Sequence, residues 1–238
     1  MRTWMKCAAV ASLALVAGTA VAADHTDGPA VKMDPATDIN DVYTWAKDGK
    51  LVLAMSVGGV QAPDAFSDAA LYTFHLHTQT KFPEAPAPDK SNRLTCKFPK
   101  ANEAECWLVA SGGKVLDYVK GDPSTEAMSE SGKLRVHAAK HADPFFFFLA
   151  GLNKAIETVQ TAAASLMSYP SGCPKLDAAT VTALQTQLTT DVSKTPAGPA
   201  VNNFAMLNQL ILVAEVDPTA VGTGDYVAVW GSTNKIGQ

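Results

Sequence analysis

Beyond residue 22 this 238-residue chain has no apolar run near the ~20 residues that a membrane-spanning helix needs. It has no G-x-S-x-G, no H-E-x-x-H and no phosphate-binding loop, so the commonest hydrolase, zinc-protease and nucleotide signatures are missing. The absence of Cys-x-x-Cys-His excludes covalently attached c-type haem, and no EF-hand pattern is present. Positive charge is not in excess: 19 Lys+Arg stand against 23 Asp+Glu. That balance argues against nucleic acid or an anionic membrane as partner. There is no internal repeat and no low-complexity tail.

What is present begins with an export signal. Arg2 and Lys6 form a basic start, Ala8 to Val16 a short apolar run, and Ala20-Val21-Ala22 a small-residue cleavage site. Cys7 precedes the apolar run, so no lipid-anchored cysteine is expected. Loss of residues 1–22 removes two bases and no acid, taking the formal net charge from −4 to −6. Residues 23–238 then read as one β-rich domain outside the cytoplasm, periplasmic or secreted, with enough chain for a sizeable core. Three cysteines remain: Cys96, Cys106 and Cys173. Export permits disulfides. Cys96 and Cys106 flank the turn Lys100-Ala101-Asn102-Glu103 and can face each other across a hairpin; Cys173 is then free, or displaces one of the two.

Period-2 patterns predict strands over 41–46, 50–57, 70–79, 93–98, 105–110, 114–119 and 133–139. Asp48-Gly49 supplies the positive φ of a tight hairpin between the first two. In 50–57, Leu51, Leu53 and Met55 alternate with Val52, Ala54 and Ser56, a half-buried pattern. The segment 82–89, with three prolines, is a loop. A helical period follows over 152–167, and Asp177 is a good N-cap for a second helix carrying Val181, Leu184 and Leu188. Strands return at 210–216 and 226–230. Strands, two helices, strands: the order predicts a mainly β fold, an antiparallel β-sandwich-like core with a two-helix insertion at about 150–192, rather than a βαβ chain.

The densest chemistry lies just after the signal. Asp24, Asp27, Asp34, Asp38 and Asp41 place five carboxylates, with His25, in eighteen residues, and Asp41-Val42-Tyr43 leads into a strand. With His141-Ala142-Asp143-Pro144-Phe145-Phe146 and the stretch Asn203 to Pro218, followed by Val229-Trp230-Gly231-Ser232-Thr233, this lead resembles the DUF4331 family of exported bacterial proteins. The resemblance covers most of residues 23–238. His141 stands where the family usually has arginine, Asp217 intrudes before Pro218, and His75-Leu76-His77 occupies a strand that in the family more often ends in Asp. The family has no settled activity, so the resemblance implies compartment and class only.

Three ligand sets follow from residue type and spacing. Cleavage after Ala22 gives a chain starting Ala23-Asp24-His25, whose amine, two amides and imidazole suit square-planar Cu(II) or Ni(II), with Asp27 as an axial oxygen. Cleavage one residue later destroys that register, and His25 is then a local cap. His75 and His77 share a strand face, as do His137 and His141 if that strand stays extended; four imidazoles could gather zinc or copper or ligate haem, or else His75 and His77 face solvent over a core of Phe74 and Leu76. Asp34, Asp38 and Asp41, with Asp27 and Asp143, suit calcium, and equally suit turns and caps. Tyr43, Trp45, Tyr72 and Trp107 could line a carbohydrate groove or fill the core. No catalytic set stands out: Cys173 has no histidine nearby in sequence, and Glu103/Glu105 sit at a turn tip. The expected function is an exported, non-catalytic binding protein for copper, zinc or calcium; the alternative is an envelope or surface interaction protein whose Asp and His residues are structural.

Overall fold

The computed structural model describes residues 28–81, 91–162, 167–222 and 224–237. The chain divides into two compact units: one is Pro144–Met206, the other holds the remaining described residues. The sequence reading placed the helical insertion at about 150–192 inside one domain.

The larger unit opens with a short helix, Pro29–Met33, and a turn of 3₁₀ helix, Pro35–Thr37. The strands follow: β1 Ile39–Lys47, β2 Lys50–Val57, β3 Ala70–Gln79, β4 Asn92–Lys100, β5 Glu103–Val109, β6 Val115–Gly121, β7 Ala127–Met128 and β8 Leu134–Ala142. Two very short strands in the smaller unit, β9 Thr190–Asp191 and β10 Gly198–Pro199, pair with each other. β11 Asn208–Val216 and β12 Tyr226–Lys235 complete the set. One sheet runs β1-β2-β11-β8-β7, the other β12-β3-β4-β5-β6. Every pairing is antiparallel. The two sheets pack together as a β-sandwich, so the mainly β architecture with helices inserted late in the chain is observed.

Local chemistry explains the hairpins. Asp48 and Gly49 take φ of 50° and 73° between the paired Lys47 and Lys50, the twist that a two-residue β-hairpin favours. Cys96 and Cys106 sit directly opposite one another on β4 and β5 and form a disulfide; Cys173 is free and exposed.

The core lies between the sheets. Tyr72, Phe74 and Leu76 of β3, Leu94 and Phe98 of β4 and Leu108 of β5 point inward toward Leu53, Met55, Leu134, Val136, Leu210 and Leu212. Tyr72 is therefore a core residue and lines no surface groove. Its hydroxyl donates to the Ala36 carbonyl at 2.9 Å and accepts from the Ser67 amide at 2.9 Å, and burial pushes the phenol's pKa up. β2 departs from the half-buried expectation: Val52, Ala54 and Ser56 are buried along with Leu53, Met55 and Val57. These small outward side chains lie in register between larger ones, Tyr43 and Val213 beside Ala54 and Trp45 and Glu215 beside Val52, so a central strand loses solvent on both faces. Gly231 of β12 faces inward where a Cβ would meet Met55 Cε at 2.7 Å and Val42 Cγ2 at 2.9 Å.

In the smaller unit, helices Leu149–Ala162 and Ala178–Thr189 pack together. Asp177 caps the second, its Oδ1 accepting from the Thr180 amide at 2.7 Å. The first begins three residues before the periodicity indicated, because Asn203 Oδ1 accepts from the Leu149 amide at 2.9 Å and satisfies an otherwise orphaned donor. Phe147 and Phe204 meet with ring centroids 5.1 Å apart, while Phe146 is exposed. No helix among the described residues is long and apolar enough to cross a membrane.

Candidate functional site

Strand alternation decides what the histidines can do together. On β3 the inward positions are Tyr72, Phe74 and Leu76, so His75 and His77 stand on the outer face of that sheet. On β8 the inward positions are Leu134, Val136 and Ala138, so His137 and His141 stand on the outer face of the other sheet. The whole core separates the two pairs. A single four-histidine site, for metal or haem, is therefore corrected: spacing fixed which residues share a face within a strand, but not which sheet each strand joins.

The two pairs differ in environment. His75 lies flat against Trp230, with ring centroids 5.1 Å apart and 4° between planes, and its Nε2 is 2.8 Å from Ser232 Oγ. Burial, then the neighbouring Arg93 charge, holds the His75 pKa below the usual imidazole value. A serine–histidine contact of this kind resembles a nucleophile–base pair, but Trp230 covers the ring's face and among the described residues no carboxylate is bonded to it as the orienting third group of a triad. His77 Nδ1 is shielded from solvent and finds no hydrogen-bond partner among the described residues.

His137 and His141 touch. Their Nε2 atoms are 2.8 Å apart and their ring centroids 5.1 Å. Residues four apart on an extended strand are separated by about 13 Å along the backbone, so the rings must lean toward one another. Ala139 is the residue between them on that face, and its lone methyl lets them meet. Across β11, His137 faces Val213 and His141 faces Gln209, so no carboxylate stands opposite either ring. His141 is exposed and His137 half-buried. Burial and the adjacent His137 hold the His141 pKa below its ordinary value.

The aspartates separate into local roles. Asp24, His25 and Asp27 lie outside the described residues. Asp34 joins the short helix to the 3₁₀ turn and accepts from Ser67 Oγ at 2.6 Å. Asp38 is buried, and its carbonyl accepts from the Gly58 amide at 2.9 Å. Asp41 and Asp143 come together. Ser56 Oγ donates to Asp41 Oδ2 at 3.4 Å, and Gln209 Nε2 donates to Asp143 Oδ2 at 3.3 Å and to the Gly59 carbonyl at 2.8 Å. Burial raises the Asp41 pKa most, the Asp143 charge adds to it, and the nearby Tyr43 and Ser56 hydroxyls oppose both. Asp34, Asp38, Asp41 and Asp143 do not gather into one site: among the described residues no three His, Cys, Asp or Glu side chains are placed to hold one ion.

Ser56 and Gln209 escaped the sequence reading. Their signal was a polar residue in or beside an apolar strand run, fully withdrawn from solvent in the fold. Asp41, Asp143 and Gln209, far apart in the sequence, come together here. Trp107, on the outer face of the β3 sheet, is covered in part by Lys97 Nζ, 5.4 Å from its ring centroid. No protein-family model, curated protein or solved structure matches the chain.

Proposed function

We propose that this chain is an exported, non-catalytic binding protein whose ligand is a transition-metal ion. The observation that carries the reading is the contact between His137 and His141, Nε2 to Nε2 at 2.8 Å on an accessible face. Two nitrogens bound to one tetrahedral zinc ion at 2.0–2.1 Å are themselves ~3.3 Å apart, so the two rings need to part by only ~0.5 Å to chelate it. Imidazole favours zinc and copper over calcium. The described aspartates of the calcium set are engaged within the fold, which also favours nitrogen over oxygen ligation.

Export rests on the leader-like residues 1–22, and the Cys96–Cys106 disulfide supports an oxidising compartment, periplasmic or extracellular. The motif resemblance to exported DUF4331 proteins points the same way. The second reading is an envelope interaction protein with no metal, and the structural employment of Asp34, Asp41 and Asp143 favours it.

Calorimetric titration of residues 23–238 with zinc(II) and copper(II) separates the two. The metal reading expects saturable binding, weakened at least tenfold by His137→Ala or His141→Ala and untouched by His75→Ala or His77→Ala. Binding indifferent to His137 and His141 would move the site to another ligand set, the His25 terminus first. No binding would leave the interaction protein.

A further inference from the structure

We infer that the His137–His141 pair binds zinc between two copies of this chain, related by a two-fold axis through the ion. The inference rests on the metal reading above and adds the partner.

Donor count comes first. The pair supplies two nitrogens, whereas a closed zinc site takes four protein ligands in a tetrahedron. Among the described residues no third His, Cys, Asp or Glu stands within a common ligand group. The side chains registered beside the rings are Ala139 on β8 and Val213 and Gln209 on β11. The carboxylate next along β11, Glu215, lies opposite Arg135 and is turned to it, with Arg135 Nε 3.9 Å from Glu215 Oε2. The described residues therefore do not complete the coordination from neighbouring positions.

Position comes second. The rings stand on an outer sheet face. The small cleft of about 50 Å³ lined by Phe66, Phe98, Lys100 and Lys140 contains neither imidazole. Exposed His141 and the low relief of Ala139 leave the ion's far side open. A two-fold axis through that side doubles two imidazoles into four without requiring any new residue, the self-complementary solution that most homodimers use.

Charge comes third. Each copy carries a formal net charge of −4, or −6 without residues 1–22, so two chains repel at long range. Four neutral imidazoles leave the zinc dication uncompensated within the site. That positive centre attracts two acidic chains, and the contact is expected only when metal is present.

The test is sedimentation velocity of residues 23–238 carrying Cys173→Ser, which removes disulfide-linked dimers through the exposed thiol. With chelator the chain is expected to sediment as a monomer. Zinc should double the sedimenting mass, saturating at half an equivalent per chain, and chelator should reverse it. His137→Ala and His141→Ala should each stay monomeric with zinc while keeping the parent's circular dichroism. Cobalt(II) gives a second readout: four imidazoles produce the intense visible bands of tetrahedral cobalt, two imidazoles with waters the weak bands of a six-coordinate ion. Zinc bound at one per chain with unchanged sedimentation would overturn the dimer and leave the metal reading standing. Dimerisation that survives chelator or either histidine variant would also overturn it. Failure to bind zinc would overturn the dimer, and failure to bind either zinc or copper would overturn the metal reading with it.

Discussion

At the scale of single residues the account depends on protonation. A metal ligand must be unprotonated, and the depressed pKa of His141 keeps that ring neutral further into acid than an ordinary histidine. The groups facing it are His137 on its own strand and Gln209 on β11, neither of them anionic. Zinc affinity should therefore be nearly flat above pH 7 and fall at least ~10-fold by pH 5, as protons compete with the ion for the imidazole ligands; pH-resolved titration checks this. Asp41 has the opposite sign of effect. Burial raises its folded pKa above the usual carboxylate range, so the native state holds that proton more tightly than the unfolded chain does. Native stability contributed by this group is present in acid and lost as pH rises through the folded value. Asp41→Asn should leave the Tm at pH 7 unchanged or higher, with the gain shrinking toward pH 4. A fall of several degrees at pH 7 would contradict this. The pairing of Asp41 with Asp143 was within reach of the sequence, since both residues belonged to one proposed ligand set. The roles of Ser56 and Gln209 were not, because a polar residue in an apolar run names a buried partner without saying which.

Elements were legible where their periodicity is local. β2 and β3 match the predicted 50–57 and 70–79, because alternation and the Asp48-Gly49 turn are written into neighbouring residues. The Leu149 helix start was not, since its capping group, Asn203, lies 54 residues away. β7, β9 and β10 are two residues each, too short to show any period. Sheet membership is the least local property of all, which is why two histidine pairs that looked able to converge lie on opposite outer faces. Three variants test the disulfide and the packing of the sandwich. Replacing both Cys96 and Cys106 by Ala should cost about 2–3 kcal/mol, whereas Cys173→Ser should be near neutral; denaturant unfolding measures both. Gly231→Val puts a branched side chain where Met55 and Val42 leave no room, and should destabilise by about 1–3 kcal/mol. An unchanged midpoint for that variant would mean that β12 packs less closely on β1 and β2 than described.

At the scale of the whole molecule, a β-sandwich with its core between two five-stranded sheets offers its outer faces for recognition. The outer face carrying His137 and His141 has the only pair of imidazoles in direct contact among the described residues. The Cys96–Cys106 disulfide is compatible with an oxidising compartment. The most direct measurement is elemental analysis of the protein purified from its native exported fraction, paired with intact mass. The expected result is zinc or copper in fixed proportion to a chain whose mass starts at Ala23, with the metal gone from a His137→Ala/His141→Ala double variant. A chain that holds no metal even after reloading, or a double variant that keeps it, would contradict the account.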